Sequence, residues 1–309
     1  DLEINGLKKL KKFINSSFDE AVKSISYCQS KVILCGVGKS GLIAAKIAST
    51  LSSVGTASFS ISANDCSHGD LGSITKKDIL ILISNSGNSV ELKNIIQYAN
   101  RYKIKIICIV SKKNSTLYKS SDIKLLIPDT KEAGFGIVPT TSTSVQLSIG
   151  DALAIAVMEH KKFNQLDFKK FHPGGNLGNK LRTAEDLMVT KSKIPFINEN
   201  HTIRKGLKII NSKKLGVLVA IDKKNHTTGI FTDGDIKRSI QRNINIDKSK
   251  IKTFMTKNPI SIEKDTLAAK ALNIMNEKKI TSLCVFRKGK RKKTIGILHI
   301  HNILDSNIS

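Results

Sequence analysis

The chain has 309 residues, 40% of them hydrophobic and 25% charged, an ordinary globular composition long enough for about two domains. No apolar run approaches the roughly 18 residues of a membrane-spanning helix, which excludes an integral helical membrane protein, and no charged–apolar–small signal opens the sequence. The net charge of +26 comes from 44 Lys against only 7 Arg, spread over the whole length and accompanied by abundant Ile and Asn. Base reading leans on Arg, so this charge reads as the codon usage of an AT-rich genome, and neither nucleic acid nor membrane is expected as a partner. The sequence opens at Asp1 rather than Met, so a few residues are expected to precede it.

In chain order, short apolar runs at Val32–Cys35, Ala57–Ile61, Ile79–Ile83, Ile104–Val110 and Ile123–Ile127 predict strands. Helical spacing separates them at Gly41–Ser53, Val90–Tyr102 and near Ser115–Lys119, and a longer helix is predicted over Thr143–Lys161. Near-continuous apolar strands alternating with helices predict an α/β fold, a doubly wound parallel five-stranded sheet with both faces covered. Ligands of such sheets bind at the carboxyl ends of the strands.

The second half repeats itself. Asp186-Leu187-Met188 is matched by Thr253-Phe254-Met255, and Gly229-Ile230-Phe231 by Gly296-Ile297-Leu298, both at an offset of 67 residues. Two βαβ-type units packed as a pseudo-dimer are expected, with the junction to the first half around Leu181–Glu185. Cysteines stand at 28, 35, 66, 108 and 284, an odd number with no CxxC pair. That pattern argues against a disulfide framework or a structural zinc site and for a reducing, cytoplasmic location, with each Cys a small core hydrophobe.

Three turns carry candidate chemistry. Gly36-Val37-Gly38-Lys39-Ser40-Gly41 follows a strand and opens a helix. It matches GxGxxG, but a Walker loop would need Gly where Ile33 stands, so the plain expectation is an anion-friendly helix start with Lys39 adding charge. Ser84-Asn85-Ser86-Gly87-Asn88-Ser89 follows the third strand, and Pro139-Thr140-Thr141-Ser142-Thr143-Ser144 precedes the long helix. One such cluster is normally a cap; two of them beside the Lys39 turn predict phosphate binding. His68, Glu91, Glu132 and His172 lie at loop ends around the same sheet, where they could move protons.

Together with Ser67-His68-Gly69-Asp70-Leu71-Gly72, Gly150-Asp151-Ala152-Leu153 and His172-Pro173-Gly174-Gly175, these motifs resemble, in order and over nearly the whole chain, the arabinose-5-phosphate isomerases. These are sugar isomerase (SIS) domain proteins with a flavodoxin-like sheet and a tandem CBS pair. The resemblance implies an SIS domain over residues 1–183 and CBS units over 184–246 and 247–309. It implies an aldose–ketose isomerase that interconverts D-ribulose 5-phosphate and D-arabinose 5-phosphate through an enediol, toward the octulosonic acid (Kdo) of lipopolysaccharide.

The resemblance carries the family's catalytic lysine, glutamates and histidine onto Lys39, Glu91, Glu132 and His172. Substrate contacts fall on Ser40, Gly55, Thr56, His68, Ser84, Asn85, Ser86, Gly87, Ser89, Thr141, Ser142 and Thr143. Of the glutamates, Glu132 is placed ahead of Glu91 as the base. The family's metal-associated histidine falls on Ser62, a poor zinc ligand, so no metal residue is assigned; no cofactor is required and a divalent metal is left open. The CBS Asp that contacts ribose in nucleotide-binding members is Asp235 in the first unit and Asn302 in the second, which argues against a nucleotide or sugar nucleotide at the second. A homo-oligomer, typically a tetramer, is implied. A non-catalytic SIS sugar-phosphate sensor stays open as the alternative.

Overall fold

The computed structural model describes residues 1–172, 174–290 and 292–306. They form two compact units, Asp1–Phe171 and His172–Ser309. Among the described residues no helix is long and apolar enough to cross a membrane.

The first unit opens with helices α1 (Leu2–Leu10) and α2 (Ser16–Ser26), the latter capped by the Asn15 side chain, which accepts from Ser17 N–H at 2.9 Å. Then follow β1 (Val32–Gly36), α3 (Lys39–Ser53), β2 (Ser58–Ser62), β3 (Ile79–Ile83), α4 (Lys93–Tyr102), β4 (Lys105–Val110), α5 (Thr116–Ser120) and β5 (Ile123–Leu126). An irregular turn, α6 (Gly134–Ile137), leads into the long helix α7 (Thr141–His160), and α8 (Gln165–Phe171) closes the unit. The five strands lie in the order β2-β1-β3-β4-β5, every pair parallel. This is the doubly wound sheet expected from the sequence, with its switch point between β1 and β3. The expected strands all form, to within a residue or so at their ends, because β1, β3 and β4 are apolar on both faces and bury both.

Alternation along each strand divides the core. Val32, Leu34, Ile79, Ile81 and Ile83 pack with α1, α2, α3 and α7 on one side. Ile33, Cys35, Leu80 and Leu82 pack with Leu92, Ile95, Ile96 and Ala99 of the α4 segment on the other. Each such fully buried Leu or Ile contributes about 1.5–3 kcal/mol relative to exposure. Helices α3 and α7 touch closely: a Cβ on Gly150 would lie 2.1 Å from Ile47, and Lys46 pairs with Asp151 beside it. The Gly150-Asp151 motif is thus a helix-packing device. All five cysteines are free, four of them buried, and burial pushes the Cys284 thiol up to about 11.

The second unit begins with α9 (Gly175–Lys180), α10 (Ala184–Leu187), β6 (Val189–Thr190), β7 (Phe196–Asn198), α11 (Ile203–Lys213), β8 (Val217–Ile221), β9 (Thr227–Thr232) and α12 (Asp233–Gln241). The second repeat supplies α13 (Ile251–Phe254), β10 (Thr256–Lys257), β11 (Ser261–Glu263), α14 (Ala268–Lys278), β12 (Ser282–Phe286), β13 (Thr294–His299) and α15 (Ile300–Leu304). The two sheets run β10-β9-β8-β7 and β11-β12-β13-β6, so each repeat lends its first strand to the other's sheet. The repeated motif residues are what this exchange uses. Met188 packs on Gly296 and Met255 on Gly229, where an added Cβ would come within 2.2 Å and 2.7 Å of the respective sulfur. The hydroxyls of Thr227 and Thr294, 67 residues apart, meet at 2.7 Å.

Asp235 sits buried in a capping box, accepting from Thr232 N–H at 2.8 Å and pairing with Arg238; Asn302 accepts from His299 N–H at the equivalent helix start. Both side chains are therefore committed to local structure.

Candidate active site

The turn after β1 is shaped by its glycines. A Cβ on Gly36 would lie 2.7 Å from the Ser40 backbone, one on Gly41 2.9 Å from the Gly36 carbonyl, and Gly38 holds φ +55°. The chain therefore reverses tightly and starts α3 at Lys39, whose side chain is exposed at the carboxyl end of β1. Ser40 is half-buried and donates its hydroxyl to Gln146 Oε1 of α7 at 3.1 Å.

Across the switch point, the turn after β3 is a self-bonded loop. Ser84 is buried, accepts from Gly87 N–H at 3.0 Å, and meets the Ser89 hydroxyl at 3.0 Å. Gly87 adopts φ +69° and is packed so tightly that a Cβ would fall 2.2 Å from Ser115 Oγ. The Asn85 carbonyl accepts from both the N–H and the hydroxyl of Ser111. Ser84 and Gly87 thus shape the loop, and Ser86 is the hydroxyl it leaves exposed. Glu91 follows, exposed, in a short 3-10 turn (Val90–Leu92) ahead of α4.

Glu132 comes to the start of α7. Its Oε2 accepts from Thr140 N–H at 3.0 Å and Ser142 N–H at 3.2 Å, with the Thr140 hydroxyl at 3.4 Å. Burial pushes this carboxyl up, but hydrogen bonds from the Ser142 side chain and from the backbone N–H groups of Thr140, Ser142 and Thr141 outweigh it and hold the group below the usual range. Glu132 is therefore an anion at neutral pH. Thr141 and Ser142 are buried rather than presented on the surface, and Thr143 donates its hydroxyl to the Thr140 carbonyl at 2.8 Å. The turn between Glu132 and Thr140 leaves Phe135, Ile137 and Val138 exposed, with Gly134, Phe135 and Gly136 all at positive φ.

His68 ends a 3-10 turn (Asp65–His68) after β2, exposed, and its neighbour Ser67 accepts from the Asn94 amide at 2.9 Å. That bond ties the His68 turn to α4. Gly55 and Thr56 are placed differently. They precede β2 at its amino end, away from the carboxyl-end loops, and the buried Thr56 hydroxyl accepts from Lys161 Nζ at 2.9 Å. Within one chain they do not join the other sequence-predicted residues. His172 is the first residue of the second unit and is half-buried; Pro173 of its motif lies outside the described residues.

Ser62, at the end of β2, accepts weakly from Asp65 N–H at 3.4 Å, and no group of three or more His, Cys, Asp or Glu placed to hold an ion occurs among the described residues. Among the polar residues of this region that sequence reasoning did not single out is Gln146. Its signal was an amide inside the apolar face Val145, Ile149, Leu153 of α7.

A family model for the SIS domain matches residues 25–156, and one for the CBS domain matches 184–242 and 251–308. The arabinose 5-phosphate isomerase KdsD of Yersinia pestis is 40% identical over 99% of this chain and 93% of its own length. KdsD of Escherichia coli K12 is 36% identical over 99% and 93%. Among solved structures, the Escherichia coli CFT073 protein c3406 in complex with arabinose 5-phosphate is 40% identical, with a TM-score of 0.52 over 55% of this chain and 92% of that one. With an SIS domain, two CBS domains and such identity along nearly its full length, the chain belongs to the arabinose 5-phosphate isomerase family.

Proposed function

We propose that the protein is an aldose–ketose isomerase that interconverts D-ribulose 5-phosphate and D-arabinose 5-phosphate, supplying the precursor of the octulosonic acid of lipopolysaccharide. The observation that carries this reading is the convergence of the Lys39 turn, the 84–89 loop and the Glu132-bearing start of α7 at the carboxyl end of one parallel sheet, in a chain so similar to KdsD.

The chemistry follows from the reaction. A proton beside a carbonyl must leave one carbon and return to its neighbour, with an enediol between. Glu132 takes the proton from C2 of the aldose and delivers it to C1. Oε2 is anchored by the N–H groups at the start of α7, which holds the carboxylate in a fixed place for this transfer. Lys39 stabilises the charge that develops on the sugar oxygens. Glu91 and His68 bind sugar hydroxyls. The exposed hydroxyl of Ser86, with Ser89, holds the phosphate, while Ser84 and Gly87 keep that loop in shape. No step requires a redox cofactor or a metal.

A homo-oligomer belongs to the same reading. Phe135, Ile137 and Val138 stand exposed beside Glu132, and a second copy covering them would exclude water from the site.

The test is incubation with ribulose 5-phosphate in heavy water. Deuterium at C2 of an arabinose 5-phosphate product establishes catalysis; binding without exchange turns the reading into a sugar-phosphate sensor.

A further inference from the structure

Gln146 breaks the apolar face of α7. It is 0% exposed, between the buried Val145 and Ile149, yet it carries two donors and an acceptor. Only one end is used: Oε1 accepts from Ser40 Oγ at 3.1 Å, while Nε2 is buried without a partner among the described residues. Turning the carboxamide over would exchange the roles and still leave one end unpaired. Thr141 Oγ1, in the first turn of the same helix, is buried and unpaired as well. A methionine of similar size would fill the same space without burying an unmatched polar group, so this position is held at a cost to stability.

What the amide links is specific. Ser40 is the second residue of α3, next to Lys39. Gln146 lies on α7, whose first residues hold Glu132 through the N–H groups of Thr140 and Ser142. The ion pair between these helices, Lys46 with Asp151, is exposed and lies further along both. We propose that Gln146 is a positioning residue: by holding the Ser40 hydroxyl it sets the Lys39 turn against the helix end that carries Glu132, and so fixes the distance between charge stabiliser and base. The inference rests on the isomerase reading of this site. It assigns Gln146 no contact with substrate.

The test compares Gln146→Met, Ser40→Ala and the double variant with the unaltered chain. Misplacing one catalytic group relative to another acts on the chemical step, so kcat for arabinose 5-phosphate falls by about tenfold in each single variant, while KM and inhibition by inorganic phosphate stay within about twofold. The thermal midpoint of Gln146→Met stays level or rises, since an unpaired buried donor is gone. The double variant is no slower than either single one, because both break the same bond. Unchanged kcat in either folded single variant, or multiplying losses in the double, overturns the proposal; so does a lower midpoint with unchanged kcat, which marks packing alone. Should Gln146→Met not fold, Gln146→Leu takes its place in the same comparison, since Ser40 is itself among the expected substrate contacts. An unaltered chain that does not isomerise the sugar removes the isomerase reading and this inference together, whereas normal turnover with indifferent variants removes only Gln146.

Discussion

Thr140 donates its backbone N–H to the Glu132 carboxylate at 3.0 Å, from eight positions further along the chain. The turn closes because three successive residues, Gly134, Phe135 and Gly136, accept positive φ, two of them without a Cβ to clash. A carboxylate that would otherwise lie on a flexible connection is thereby held at the start of a 20-residue helix, where the N–H groups and the dipole favour its charge.

Replacing Glu132 by Gln separates basicity from structure. The amide oxygen can still accept from Thr140 and Ser142, so the fold is kept and the thermal midpoint moves little. Turnover falls by at least about a hundredfold, the scale of lost general-base catalysis. Near-normal turnover of the folded variant would remove Glu132 from the role.

The pH profile follows from the same bonds. Because the folded Glu132 carboxyl is held below its ordinary value of 4.5, it stays ionised through the neutral range, and its contribution to stability is lost only as pH falls through the folded value. The acid limb of kcat/KM assigned to Glu132 is therefore expected below about pH 4.5. A limb between pH 6 and 7 that vanishes in Glu132→Gln would contradict this.

Asp78 anchors the amino end of β3. Its side chain is fully buried, paired with Lys31 at 3.0 Å and bonded to Thr75 N–H at 2.6 Å. Burial pushes its carboxyl up, but hydrogen bonds from Ser30, Thr75 and Lys31 outweigh it and bring it down to about 2 from 3.8. A depressed carboxylate contributes stability that is full above 3.8 and lost as pH falls through about 2. The shift corresponds to about 2 kcal/mol. Thermal unfolding between pH 4 and 2 should show a fall in the midpoint that Asp78→Asn makes shallower, starting from a lower value at pH 7.

Gly87→Ala tests whether the 84–89 loop binds substrate in the shape seen. With φ +69° and a Cβ only 2.2 Å from Ser115 Oγ, alanine must displace the loop. A destabilisation of about 1–3 kcal/mol is expected. KM for the sugar phosphate should rise by about tenfold or more in steady-state assays, with inhibition by inorganic phosphate weakened in parallel.

The strand exchange in the second unit can be probed at Gly296. Alanine there places Cβ 2.2 Å from Met188 Sδ, and overpacking of this kind costs about 1–3 kcal/mol. Met188→Ala vacates the same space. In calorimetry the double variant should be less destabilised than the sum of the two single ones; simple additivity would mean the two residues do not press on each other.

Much of this molecule is local and so was legible in the chain. Ile79–Ile83 forms the predicted strand residue for residue, because a run apolar on both faces can only be a covered parallel strand in this context. The 67-residue repeat and the glycine turns were likewise readable, since turn geometry depends on residues a few positions apart. Tertiary structure decided the rest, because it concerns partners far apart in sequence. No local rule says that Met188 crosses to Gly296, that Thr56 lies at the amino end of the sheet with Lys161 on its hydroxyl, that Ser84 is a loop brace, or that Ser40 reaches Gln146 106 residues on. Composition and periodicity determine which segments become strands and helices, whereas close packing of the finished elements determines which polar groups remain for chemistry and which are consumed in holding the fold.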